Sequence, residues 1–420
     1  MAGTPTWFDE GIQHIWLPYT QMKTATPPLP VKATSGVRIT LDDGRELIDG
    51  ISSWWAAAHG YNHPHILDAM KAQLDAMPHV MFGGLVHEQA LKLSSRLAAM
   101  LPGDLNRCFI AESGSVSVEV AMKMTAQYFM NRGERRTKFV HFRGTYHGDT
   151  LGTMAVCDPE EGMHGMFKGM LAENLLTDLP RDAEGAERFA AFLKVNAPDV
   201  AAVITEPLVQ GAGGMVFHTP ETLQWIRQAC DAAGVLMIVD EIFTGFYRTG
   251  TCFAIDQAGI VPDMVTLSKA LSGGVAPLSV CVARDTIFDA FYDDDPMKAL
   301  MHGPTYMAHA LGCAAANASL DLFEREDYEA KAEAIQHQMM AELAPCGFLD
   351  NVKSVRVKGA IGVVQLEDAS MIEALKPKFV AEGVWIRPFR DIVYLTPPLI
   401  IEPADLTKLT GSIYKVLSEA

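Results

Sequence analysis

Cysteine is scarce and scattered in this 420-residue chain. The seven thiols (Cys108, Cys157, Cys230, Cys252, Cys281, Cys313 and Cys346) are odd in number and never spaced as Cys-x-x-Cys. That spacing argues against a disulfide framework and a zinc site, and a reducing cytoplasmic setting is expected. Basic residues are also in deficit: 34 lysines and arginines face 51 acids, for a formal net charge of -17. A track for nucleic-acid phosphates needs clustered cations, and the one short basic stretch, residues 132–138, reads as a solvated turn, so no nucleic-acid partner is expected. No stretch runs long enough without charge to span a bilayer, and the start Met1-Ala-Gly-Thr-Pro-Thr-Trp-Phe-Asp-Glu10 lacks a basic opening and an apolar core. The expectation is a soluble, unprocessed protein with no membrane partner. His59, His63, His79, His87 and His147 include no His-x-x-x-His beside a catalytic acid and no cysteine at zinc spacing, so no metal is expected.

What the chain does have is apolar content, 49% of its residues, and a length beyond that at which one core stops growing. Short apolar runs alternate with helix-like stretches: Cys108-Phe-Ile-Ala111, Phe139-Val-His-Phe142, Ala201-Ala-Val-Ile204, Val235-Leu-Met-Ile-Val239, Met264-Val-Thr-Leu267 and Val280-Cys-Val282. Such alternation predicts an α/β fold, a mostly parallel sheet with helices on both faces. The opening is different, with Pro27-Pro-Leu-Pro30 followed by a hairpin-like pattern over residues 37–50. After a helix expected at 311–323, a charged helix at 328–343 and strand-like runs at 355–357 and 361–366 read as a small α+β unit. The division expected is residues 1–50 and 325–420 for a smaller domain built from both chain ends, with 51–324 as the large domain.

Ligands of such sheets sit beyond the carboxyl ends of the strands, where Glu112, Glu206, Asp240 and Lys269 all follow apolar runs. Lys269 ends one run 29 positions after Asp240 ends another. A lysine amine can hold an aldehyde as a Schiff base, and a carboxylate facing a pyridine nitrogen keeps that ring protonated and able to take up electrons. The pair therefore suits pyridoxal 5'-phosphate, although a lysine after a strand can equally be a solvated surface residue. Gly114 and Ser115 open a helix whose apolar positions Val116, Val120, Met124 and Tyr128 recur every fourth residue. Its exposed N–H groups could cradle a phosphate, or Ser115 could simply be an N-cap. Tyr146, in Tyr146-His-Gly-Asp149, could stack on a flat cofactor or pack in a plain turn. Ile242 reaches the opposite ring face if the chain stays extended there, and otherwise belongs to the core. Gly303, Pro304 and Thr305 form a loop signal in which the threonine can donate to a phosphate. Arg387 can clamp a carboxylate through two parallel hydrogen bonds or sit on the surface. Trp54 and Trp55 point to different sides of an extended chain, so one of them is expected to line a pocket.

Taken in order, Glu112-Ser-Gly-Ser115, Tyr146-His-Gly-Asp149, Asp240-Glu-Ile-Phe-Thr-Gly-Phe-Tyr-Arg-Thr-Gly250, Leu267-Ser-Lys-Ala-Leu-Ser-Gly-Gly274 and His302-Gly-Pro-Thr305 resemble the class III, fold-type I aminotransferases. The likeness covers nearly the whole chain. His14-Ile-Trp-Leu-Pro-Tyr19, Ser52-Ser-Trp-Trp55, Gly60-Tyr-Asn-His-Pro64, His79-Val-Met-Phe-Gly-Gly84 and Trp385-Ile-Arg-Pro388 resemble one branch of that family. That branch takes S-adenosyl-L-methionine as amino donor and 8-amino-7-oxononanoate as acceptor in biotin synthesis. The resemblance implies that Lys269 carries pyridoxal phosphate, Asp240 faces its ring nitrogen, Gly114 and Ser115 bind its phosphate, and Tyr146 stacks on it. It further implies that Pro304 and Thr305 reach the cofactor of a neighbouring subunit, making the active unit a homodimer with shared sites. Tyr19, Trp54, Tyr146, Gly303 and Arg387 match substrate-contact positions, with Tyr19 also expected to matter for catalysis. Glu206 and Asp149 match acidic positions near the site. Tyr247 departs from the pattern, since relatives often carry glycine there.

The expected activity is a two-stage amino transfer giving 7,8-diaminononanoate. Two other readings stand beside it: a related class III enzyme using lysine or another ω-amine as donor, and a cofactor-free α/β binding or scaffold protein on the same fold.

Overall fold

The computed structural model describes residues 4–160 and 165–420. Its central element is a seven-stranded sheet in the order Leu105–Ala111, Ser279–Arg284, Met264–Leu267, Leu236–Asp240, Val200–Thr205, Lys138–Phe142 and Leu175–Thr177. Strand Ser279–Arg284 runs antiparallel to both neighbours, and the remaining pairs are parallel. The mostly parallel α/β sheet expected from the apolar runs is therefore present. A seventh strand, Leu175–Thr177, joins its edge; its residues are only partly buried, so it lacked the dense apolar signature of the others. Central strands such as Val200–Thr205 and Leu236–Asp240 are buried along their whole length, the pattern of strands covered on both faces.

The chain ends meet in a second sheet, ordered Val31–Ser35, Arg38–Leu41, Glu46–Asp49 and Val384–Trp385. The hairpin over residues 38–49 forms as expected, and the preceding strand Val31–Ser35 adds to it. Val384 and Trp385 pair in parallel with Ile48 and Asp49, so a strand from late in the chain completes a sheet begun near its start. Arg38 and Asp405, 367 positions apart, add two hydrogen bonds of 2.8 and 2.9 Å. A third sheet, Val352–Lys358, Ile361–Leu366 and Ile392–Leu395, packs with helix Tyr328–Leu343, and helix Pro403–Ser418 lies against that helix. The helix Ala310–Arg325 runs two residues beyond the expected 323 and is buried over most of its length. Among the described residues no helix is long and apolar enough to cross a membrane, and no group of histidine, cysteine, aspartate or glutamate could hold a metal ion. All seven cysteines are free thiols.

Candidate active site

The strand ends create two adjoining chambers. The inner one, about 200 Å³, is lined by Asp240, Lys269, Ser115, His147, Glu206 and Ile242 among others. The outer one, about 690 Å³, is lined by Tyr19, Trp54, Asp149, Lys376, Arg387 and Phe389 among others. Lys269, Tyr146, Trp55 and Ala212 border both, so the lysine stands at the passage between them.

Lys269 follows the fully buried strand Met264–Leu267 and opens a short 3-10 turn, Lys269–Ser272. Its φ of 45° is left-handed, a conformation costing a non-glycine residue roughly 1–3 kcal/mol that persists only where the surroundings enforce it. Burial pushes the ammonium pKa down to about 8, while Asp240, Glu206 and Asp149 pull the other way. The Nζ lies 4.6 Å from the centre of the Trp55 ring. An amine so placed spends an appreciable fraction of its time neutral near pH 8, the state in which it is a nucleophile and base.

Asp240 ends strand Leu236–Asp240 and is buried. His147 Nδ1 lies 2.7 Å from its Oδ2, and the Ile242 backbone N–H donates to Oδ1 at 3.1 Å. The network continues behind the histidine: Nε2 lies 2.9 Å from Thr145 Oγ1, and that hydroxyl donates to Glu206 Oε2 at 2.9 Å. Glu206 also accepts from the backbone N–H groups of Tyr146 and Gly211, yet its complete burial pushes its pKa up to about 7. Three side chains and one backbone N–H thus lock the orientation of the Asp240 carboxylate, which is what a carboxylate needs if it is to face one particular atom.

Helix Gly114–Asn131 points its N-terminus at the inner chamber, with Gly114 and Ser115 in the lining. The helix cap is Ser113, which accepts from Val116 N–H; the alternative that Ser115 fills that role is corrected, and Ser115 keeps its hydroxyl for the chamber. Gly148, at φ 131°, makes room for it, since a β-carbon there would come within 2.0 Å of Ser115 Oγ.

The outer chamber is aromatic and charged. The Tyr19 hydroxyl donates to Asp149 Oδ2 and lies 3.2 Å from the Tyr146 hydroxyl, which itself donates to Asp149 Oδ1 at 3.0 Å. Burial, followed by the bond to Asp149, raises the Tyr19 pKa to about 12. The Arg387 guanidinium sits 4.7 Å from the centre of the Trp54 ring, a contact worth about 0.5–2 kcal/mol depending on its exposure.

Two expectations about local backbone are corrected here. Residues 52–55 are not extended: Ser52, Ser53, Trp54 and Trp55 all have φ between 49 and 73° or close below it, at 47° for Ser53, forming a left-handed turn. Period-two alternation therefore fails, and both indoles border the outer chamber. The chain after Asp240 also turns instead of extending, drawn in by the Ile242 N–H bond to Asp240, although Ile242 still lines the inner chamber. Of the four polar residues expected on one rim, Glu206, Asp240 and Lys269 converge, whereas Glu112 borders neither chamber. Gly303, Pro304 and Thr305 lie in a loop that also borders neither chamber of this chain. Tyr247 borders neither chamber and packs against Phe323 and Tyr328.

His147, Thr145 and Trp55 carry roles that the sequence reading left unassigned. The histidine had a visible signal in its place two residues after Thr145 and next to Tyr146, in the loop that follows strand Lys138–Phe142. Its partner Asp240 is 93 positions away, which only the sheet order brings close.

The geometry sits within a clear set of similarities. The family model for class III aminotransferases matches residues 19–417. The adenosylmethionine-8-amino-7-oxononanoate aminotransferase of Buchnera aphidicola subsp. Baizongia pistaciae is 40% identical over 413 residues, 97% of this chain and 96% of its own length. The crystal structure of the enzyme of the same name from Methanocaldococcus jannaschii superposes with a TM-score of 0.94 at 30% identity, covering 99% of this chain and 98% of that one. An amine transaminase from an uncultivated Pseudomonas species, solved in its PLP-bound form, gives 0.90 at 29% identity, covering 97% of this chain and 98% of the other. With a lysine, a locked carboxylate and a helix N-terminus converging on one chamber inside a match of this extent, the chain belongs to the class III aminotransferase family.

Proposed function

We propose that this protein is a pyridoxal-phosphate-dependent transaminase that converts 8-amino-7-oxononanoate to 7,8-diaminononanoate with S-adenosyl-L-methionine as amino donor, a step of biotin synthesis. The observation that carries the reading is the 40% identity, over nearly the full length of both chains, to an enzyme of that name, joined to the Lys269–Asp240 chamber. The residues present fit the cofactor: a buried lysine whose pKa is pushed down to about 8, a fixed carboxylate, and a helix N-terminus whose Ser115 hydroxyl is left clear by Gly148. When bound, pyridoxal phosphate supplies an aldehyde for the amine and a ring that takes up the electrons of a breaking C–H bond.

In this proposal Lys269 holds the cofactor and then moves a proton between the substrate α-carbon and C4′. Asp240 faces the ring nitrogen, with His147 holding its carboxylate in place. Gly114 and Ser115 take the phosphate, and Tyr146 and Ile242 bracket the ring. Arg387 takes the substrate carboxylate, and Tyr19, Trp54 and Tyr146 wall the aliphatic chain. Tyr19 and Tyr146, both bonded to Asp149, place hydroxyls at the passage where the amino group changes hands. Apolar, adaptable walls suit a site that must accept two unlike molecules in turn.

Pro304, Thr305 and Gly303 act, on this reading, in the neighbouring subunit of a homodimer. The support is an apolar surface around that loop: Met301 is 77% exposed and Val86 64%, while His79 packs on Tyr306 and His87 bonds the Ala308 carbonyl. Residues 51–324 form the cofactor domain and residues 1–50 with 325–420 the smaller one. A cytoplasmic location suits the seven free thiols.

The test is spectroscopic titration of the purified, yellow holoenzyme. Adding S-adenosyl-L-methionine alone should bleach the lysine-linked band, and 8-amino-7-oxononanoate should restore it. Bleaching by lysine and not by S-adenosyl-L-methionine would move the assignment to an ω-amine donor, and a colourless protein that takes up no cofactor would return it to a binding scaffold.

A further inference from the structure

Behind the Lys269 turn lies a buried hydrogen-bonded chain that none of the assigned roles uses. His59 is 1% exposed, with Nδ1 2.6 Å from the Tyr328 hydroxyl and Nε2 2.9 Å from Ser319 Oγ. Ser319 Oγ in turn donates to the Ala270 carbonyl at 3.3 Å. These contacts have one consistent direction. Because the serine proton is directed to Ala270, Ser319 accepts from His59 Nε2–H; the neutral ring then leaves Nδ1 to accept from Tyr328. Burial, with His63 and Lys331 adding to it, holds His59 near a pKa of about 3, so the neutral ring is the form present at physiological pH.

The chain ends on the carbonyl of Ala270, the residue next after Lys269, whose φ is left-handed. The same histidine also helps to close the space beside the glycine that caps the turn: a β-carbon on Gly273, at φ 65°, would meet Ile66 Cδ1 at 2.7 Å and His59 Cδ2 at 3.4 Å. Residues 52–59 therefore reach Lys269 from two sides, with Trp55 against its ammonium and His59 behind its backbone. Tyr328 begins the helix Tyr328–Leu343, so the chain also links the lysine turn to the region beyond residue 325.

We infer that His59 is a positioning residue for Lys269, and that the relay Tyr328–His59–Ser319–Ala270 sets the strained turn from which the lysine amine reaches its reactants. This rests on the role proposed above for Lys269, but not on which amine is the donor.

The test uses the holoenzyme and the variants His59→Leu, His59→Gln and Ser319→Ala. A glutamine can accept from Tyr328 through Oε1 and donate to Ser319 through Nε2, whereas leucine fills space and does neither. The first readout is the pH at which the lysine-linked visible band changes form, which needs no substrate and so stands whatever the donor. The second is the single-turnover rate with protiated and α-deuterated donor. Displacing a catalytic group by a fraction of an ångström to an ångström costs up to ~100-fold in rate, so His59→Leu is expected to slow single turnover by ~10–100-fold, with donor KM within about twofold. It should also move the spectral midpoint and enlarge the isotope effect, and His59→Gln should recover most of the rate. Wild-type midpoint and rate in His59→Leu, or a glutamine variant as damaged as the leucine one, would overturn the inference. Should His59→Leu not fold, Ser319→Ala removes only the link to Ala270; a wild-type midpoint and single-turnover rate there would overturn it equally.

Discussion

The two chambers are held by opposite means. In the inner one the decisive groups are buried and each is tied to a neighbour: Asp240 to His147, His147 to Thr145, Thr145 to Glu206. In the outer one Tyr19 is 54% exposed and Trp54 37%, and their contacts are ring faces and hydroxyls on a chamber open to solvent. A buried polar network is costly to disturb because each broken link leaves another group unpaired away from water. A half-exposed aromatic wall has water as a substitute partner and loses less. The inner chamber is thus built to hold one group in one orientation, and the outer to admit different ones.

Substitutions should separate the chambers by size of effect. On the roles proposed above, Lys269→Ala would remove both cofactor attachment and proton transfer and is expected to lower turnover by ~10⁴-fold, the upper range for a general base. Its cofactor should bind without the lysine-linked band, and a normally coloured, active variant would remove the assignment. Asp240→Asn keeps the shape but not the charge, and single-turnover proton transfer should slow by ~10²–10³-fold, comparable with loss of one preorganised electrostatic contact. Arg387→Ala should act mainly on capture of the carboxylate, lowering kcat/KM by ~10–100-fold with cofactor absorbance intact. A loss confined to kcat would break the contrast between the chambers.

A pH measurement sharpens it further. In the folded protein the Lys269 pKa is lowered towards about 8, so the neutral amine increases as pH rises through that value. Recombination of apoenzyme with pyridoxal phosphate should quicken by ~10-fold from pH 7 to pH 9 and then level off, where an ordinary lysine would keep accelerating past pH 10. The smallest effect belongs to Tyr19→Phe, which removes one hydroxyl and leaves the ring. A few-fold loss, ~2–10, is expected, falling unequally on the two half-reactions. Equal losses in both would deny Tyr19 a part in distinguishing the substrates.

Much of the inner chamber was legible in the sequence because strand ends announce themselves. Apolar runs stop at Asp240 and just before Lys269, and a sheet brings such ends to one edge. What was not legible depended on backbone conformations that composition does not encode. The left-handed turn at residues 52–55 contains no glycine to signal it, and assuming an extended chain there separated two indoles that in fact border one chamber. The turn after Asp240 is drawn in by that residue's own side chain, a local bond invisible in an apolar pattern. The first strand of the N-terminal sheet, Val31–Ser35, is exposed along most of its length and so carried no alternating signal.

The parallel pairing of Val384 and Trp385 with Ile48 and Asp49 has a consequence in time as well as in space. Loop closure between such distant segments is slow, and the central strands can pair first. Arg387 follows that late strand by two residues, while Trp54 and Trp55 follow its early partner closely. The outer chamber therefore cannot acquire its shape until both ends of the chain have docked. During refolding, the central sheet that carries Asp240 and Lys269 should form before the ability to choose an amine.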